Sequence, residues 1–81
     1  MEQYYEEIMM EVKSGKIKGE DLEFAYSSFR KILDAAEDDI IIIRRMCSNL
    51  YSDAIESLLR KKQQEYDAIE ELVTTIRRQL Y

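Results

Sequence analysis

Histidine, proline and tryptophan are absent from this 81-residue chain, cysteine occurs once and glycine only twice. Each shortage excludes something. Without histidine there is no imidazole base and no Cys/His metal site, and the Glu-x-x-His motif of di-metal carboxylate bundles cannot be built. A lone Cys47 cannot form an internal disulfide, and a single thiol fits a reducing, cytoplasmic home. With no proline and two glycines, little punctuates the chain: Gly15 and Gly19 both fall in "KSGKIKGED", residues 13–21, the one clear loop. No glycine-rich phosphate loop is present. No apolar stretch approaches the roughly 20 residues a bilayer requires, so no membrane span is expected. The first ten residues, "MEQYYEEIMM", lack a cationic start, so no secretory signal peptide is expected either.

What is there reads as helix. Charged residues make up 36% of the chain and hydrophobic ones 46%, the balance of a protein built from amphipathic helices. Seventeen acids against twelve bases leave a net charge of −5, so bulk attraction to nucleic acid is not expected. The basic clusters at Arg44/Arg45, Arg60–Lys62 and Arg77/Arg78 read as solvated helix faces, and direct nucleic-acid binding would need several of them to come together.

Residues 2–13, "EQYYEEIMMEVK", place Tyr5, Ile8, Met9 and Val12 at helical spacing, with Gly15 suited to a C-terminal cap after a loop over 14–19. From Glu20 or Asp21 a second helix carries Leu22, Tyr26, Phe29, Leu33, Ala36, Ile40, Ile43, Cys47, Leu50 and Ala54 in alternating steps of four and three. "DDIIIIRR", residues 38–45, would suit a buried strand taken alone. Ile40 and Ile43 nevertheless keep the phase of the seam on both sides, which favours helix over the strand preference of β-branched residues. "EDD" at 37–39 leaves room for a break, with Asp38 or Asp39 capping a new helix. The seam fails near residues 57–63, where "RKKQQ" puts polar residues in apolar positions, and resumes with Tyr66, Ile69, Val73, Ile76 and Leu80. The expectation is an all-α single domain over 1–81: a short N-terminal helix (about 2–13), a long central helix (about 20–60, with the break at 37–39 left open) and a C-terminal helix (about 64–80), forming an antiparallel bundle.

Four successive residues at about 100° each sweep most of a helix circumference. At the isoleucine level the helix therefore wants apolar neighbours on several sides, more than so short a chain offers. The expected interface is Ile40, Ile41, Ile42, Ile43 and Arg44 with Tyr51, facing a protein partner or a second copy. Cys47 sits on the apolar seam and reads as a small packing residue. No nucleophile–base pair is available, so no enzyme, cofactor or metal is expected.

Several stretches resemble the helical domain of GINS proteins, of the archaeal type in which that domain comes first. "YYEEI" (4–8) resembles the opening tyrosine-containing helix, and "GEDLEFAY" (19–26) its Gly-Glu-acidic entry to the second helix. "DIIIIRR" (39–45) is similar to the family's acidic–Ile-Ile–x–Ile-Arg run, and "EYDAIEELVTTI" (65–76) to its last helix. Where the family has a basic residue and an isoleucine after the Ile-Arg run, this chain has "MCSNLY". The resemblance implies a non-catalytic scaffold of the replicative helicase, assembling as a tetramer. It would tie the MCM ring to a RecJ- or Cdc-type partner and to polymerase or primase, with Ile40–Ile43 and Arg44 near the subunit interface. The alternative drawn from the residues alone is a small homodimeric helical regulator or inhibitor, viral or plasmid-type, that covers a partner surface.

Overall fold

A glycine ends the first helix. The computed structural model describes residues 3–81, and in it α1 (Gln3–Lys13) runs into Gly15 at φ 84°. The Gly15 amide donates to the Val12 carbonyl at 3.2 Å and the Lys16 amide to the Glu11 carbonyl at 3.0 Å, the paired bonds of a Schellman cap. A Cβ on Gly15 would meet nothing within 4 Å, so it is the left-handed backbone, not space, that calls for glycine. Glu2, the expected start of this helix, lies outside the described residues.

The second helix, α2 (Glu20–Asn49), is 30 residues long and unbroken. Glu20, Asp21 and Glu23 put negative charge on its first turn, where the helix dipole favours it. The break left open at 37–39 does not occur: Glu37, Asp38 and Asp39 are helical and exposed. The strand reading of the four isoleucines is likewise excluded, because all four lie inside α2.

α2 stops at Asn49, about eleven residues before the expected end near residue 60. The reason is local polar chemistry. Ser48 Oγ donates back to the Arg44 carbonyl at 3.2 Å and Asn49 Nδ2 to the Arg45 carbonyl at 2.9 Å, side-chain-to-backbone bonds of the kind that compete with a continuing helix. Leu50 turns extended (φ −128°, ψ 126°), and Ser52 Oγ accepts the Ile55 amide at 3.3 Å, capping α3 (Asp53–Leu80). Asp53 and Glu56 then occupy the first turn of α3, and Arg77 and Arg78 its last. The connection expected near Lys61–Gln64 is therefore Leu50–Ser52. "RKKQQ" lies inside α3, where Lys62 and Gln63 are half-buried and Lys62 Nζ sits 3.8 Å from Glu65. Long polar side chains can cover apolar surface with their stems, and that lets the helix continue through a polar stretch.

α2 and α3 pack as an antiparallel hairpin, with α1 laid against its open end. Val12, Leu22, Leu72 and Ile76 form one buried cluster, ringed by Ile8, Met9, Ile17 and Leu80. Leu33, Ile69 and Val73 form a second, which Tyr5 of α1 also reaches. The molecule measures 47 × 20 × 14 Å, and α1 accounts for only its open half. Among the described residues no third helix lies beside the hairpin from Ile40 to the turn at Leu50–Ser52.

Candidate docking face

The isoleucine run divides by the arithmetic of the helix. Ile40 and Ile43 are buried, at 6% and 4% exposure, because they continue the stripe of Leu22 and Leu33 toward α3. They belong to the chain's own packing, which corrects their place in the expected interface. Ile41 and Ile42 stay 42% and 55% exposed. Arg44 is exposed, and Tyr51, in the turn, is 98% exposed. Of the six expected interface residues, four thus remain on the surface. Cys47 is half-buried one turn beyond Ile43.

On one side of the hairpin an open groove of about 550 Å³ lies between Glu37, Ile41 and Arg44 of α2 and Gln63, Tyr66 and Asp67 of α3, with Ile40 as its floor. Burial chiefly, then the Glu70 and Glu37 charges, push the Tyr66 pKa above 10.0 against the opposing pull of Arg30. The groove is polar at both ends and apolar only around the isoleucines.

The outer side of α2 carries a second pattern. Asp38, Ile42 and Arg45 lie on the side turned away from α3, and Ile41 completes an arc of about 100° at its flank, where it also borders the groove. All four are exposed. Among the described residues neither Asp38 nor Arg45 forms an ion pair. The face therefore reads acid, apolar, apolar, base along the helix, over two turns or about 10 Å.

The basic clusters do not come together into one patch. Antiparallel packing brings Arg60–Lys62 to the turn half alongside Arg44 and Arg45, but Arg77 and Arg78 stand more than twenty ångströms along α3 at the open end, about 1.5 Å per residue. Between the two lie Glu65, Asp67, Glu70 and Glu71. No described helix is long and apolar enough to cross a membrane, and no three described His, Cys, Asp or Glu side chains converge as a metal site. The residues that sequence reasoning missed here are Asp38 and Arg45. Their signal was present in "DDIIIIRR", as a charge pattern that reverses sign about its own centre. No protein-family model matches the chain, and neither a curated protein nor a solved structure does.

Proposed function

We propose that this chain is a non-catalytic helical interaction module, and that it docks on another protein chain through the α2 face centred on Ile42. The observation that carries this reading is the 55% exposure of Ile42 beside the 42% exposure of Ile41, at a level of the hairpin that no third described helix covers. Water-exposed isoleucines grouped with the exposed Leu50 and Tyr51 toward one end of a small domain are the composition of a contact surface rather than of a solvated face.

Two forms of the module fit the reading. The stretches resembling the GINS helical domain support a replication scaffold in which this face is a subunit interface. The charge pattern around Ile42 supports the other form, a homodimeric regulator, and it is this second form that an observation in the fold favours.

A photoreactive amino acid placed at position 42 tests the docking reading, with position 23 as the control, since Glu23 is an exposed residue near the opposite end of the same helix. The expected result is a discrete protein adduct, in purified protein or in cells, from position 42 and none from position 23. Absence of any adduct at 42, or equal labelling at both, overturns the reading.

A further inference from the structure

Resting on that docking reading, we propose that the chain covering the face is a second copy of this one, laid antiparallel along α2 about a two-fold axis between Ile41 and Ile42. A closed dimer of this kind is isologous: whatever residue i meets in residue j, j meets in i. A face that serves such an axis must be complementary to itself when reversed, and the outer face of α2 is. Reversal about the centre of the isoleucines sets Ile41 against Ile42 of the second copy and Asp38 against Arg45 of the second copy, and repeats both contacts on the other side of the axis. Two isoleucines from each chain then lie between two ion pairs.

The alternatives are disfavoured by the same residues. A parallel pairing in register would bring Asp38 beside Asp38 and Arg45 beside Arg45, like charges held together at an interface where such contacts cost affinity. A partner of uniform charge, basic or acidic, would match one end of the face and be repelled at the other. The axis lies in the part of the hairpin, from Ile40 to the turn, that α1 does not cover, so the second copy would supply the neighbour missing there.

Asp38 and Arg45 are exposed and free of intrachain ion pairs among the described residues, so exchanging their charges leaves the monomer's packing intact. Three proteins test the proposal: the wild type, Asp38→Arg and Arg45→Asp. Each is sized by multi-angle light scattering over a concentration series, with circular dichroism to check that helix content is unchanged. The wild type is expected at about twice the 9.7 kDa chain mass. Each variant alone faces like charge across both contacts and should self-associate roughly tenfold or more weakly. Mixed in equal amounts they should form a dimer, because an Asp38→Arg chain against an Arg45→Asp chain has opposite charges at both contacts. A wild type that stays at 9.7 kDa overturns the proposal, as do single variants that dimerise like wild type or a mixture that does not dimerise. Ile42→Asp, measured beside them, separates the two readings: a dimer lost with Ile42→Asp but indifferent to the charge exchanges removes the antiparallel register and leaves the docking face in place.

Discussion

Asp38 and Arg45 stand two helical turns apart on the side of α2 turned away from α3, with Ile41 and Ile42 between them and no described ion-pair partner for either. Seven residues return a helix to nearly the same face, so this spacing is what lets a reversed copy meet both charges at once. The inner stripe of the same helix, Leu22, Leu33, Ile40 and Ile43, serves the hairpin. One helix thus carries two seams. The chain satisfies the inner one and leaves the outer one open.

The division of the isoleucines predicts opposite outcomes for neighbouring substitutions. Ile43→Asp puts an unpaired carboxylate at a site only 4% exposed and should destabilise by roughly 3–5 kcal/mol, comparable to all that a core of this size supplies. Ile42→Asp adds a charge at a site 55% exposed and should leave helix content and the monomer's melting temperature close to wild type while abolishing association. Circular dichroism melts and light scattering read the two effects separately. Unfolding by Ile42→Asp would mean that the residue belongs to the core.

Leu72 is fully buried where all three helices meet. Leu72→Ala should therefore cost about 2–5 kcal/mol from lost burial and the cavity left behind. At roughly 4–8 °C per kcal/mol for a domain of this size, the melting temperature should fall by about 8 °C or more. A shift of only a degree or two would mean that α1 does not close over the hairpin.

Much of this fold was legible in the residues, because helical structure rests on local signals. The "KSG" cap, the acidic first turns and the seam from Leu22 to Ile43 each dictate what the structure shows. The turn at Leu50–Ser52 was harder to see. It carries no glycine or proline, and its signal is three side chains, Ser48, Asn49 and Ser52, bonding to nearby backbone. "RKKQQ" looked like a stronger break because a seam of apolar residues was expected to continue in its own helix; Lys62 and Gln63 instead sit half-buried in the hairpin. Where α1 ends along the hairpin is a tertiary fact with no local signature. That fact leaves the α2 stretch from Ile40 to the turn without a third helix, whereas the division of the isoleucines there into buried Ile40 and Ile43 and exposed Ile41 and Ile42 follows the helical period of the seam.

The cap at Ser52 makes the turn testable with a sign. Its hydroxyl accepts the Ile55 amide at 3.3 Å, so Ser52→Ala should destabilise by about 0.5–2 kcal/mol, and Ser52→Gly by only a few tenths. Had the turn fallen at residues 61–64, position 52 would be mid-helix and alanine there would stabilise. Urea unfolding of the two variants distinguishes the cases.

Tyr66 adds an alkaline pH dependence to the stability. Its folded pKa lies above 10.0 because burial, then Glu70 and Glu37, disfavour the phenolate. The unfolded chain therefore releases this proton first, so the stabilising contribution is complete below pH 10.0 and is lost as pH rises through the higher folded value. Tyr66→Phe should lose less stability than wild type between about pH 8 and about pH 11, measured by urea unfolding. Parallel losses in the two proteins would remove Tyr66 from the account.

The most direct test places a thiol beside the two-fold axis. In a Cys47→Ser background, which removes the only native cysteine, Ile42→Cys should form a disulfide-linked dimer on mild oxidation, because position 42 and its copy flank the axis, each within one residue of it along the helix. Phe24→Cys in the same background is the control: Phe24 is 76% exposed and lies on the same helix, about 27 Å from position 42. Rapid cross-linking at position 42 and none at position 24 is the predicted result. No cross-link at 42, or equal cross-linking at both, would contradict a second copy seated on this face.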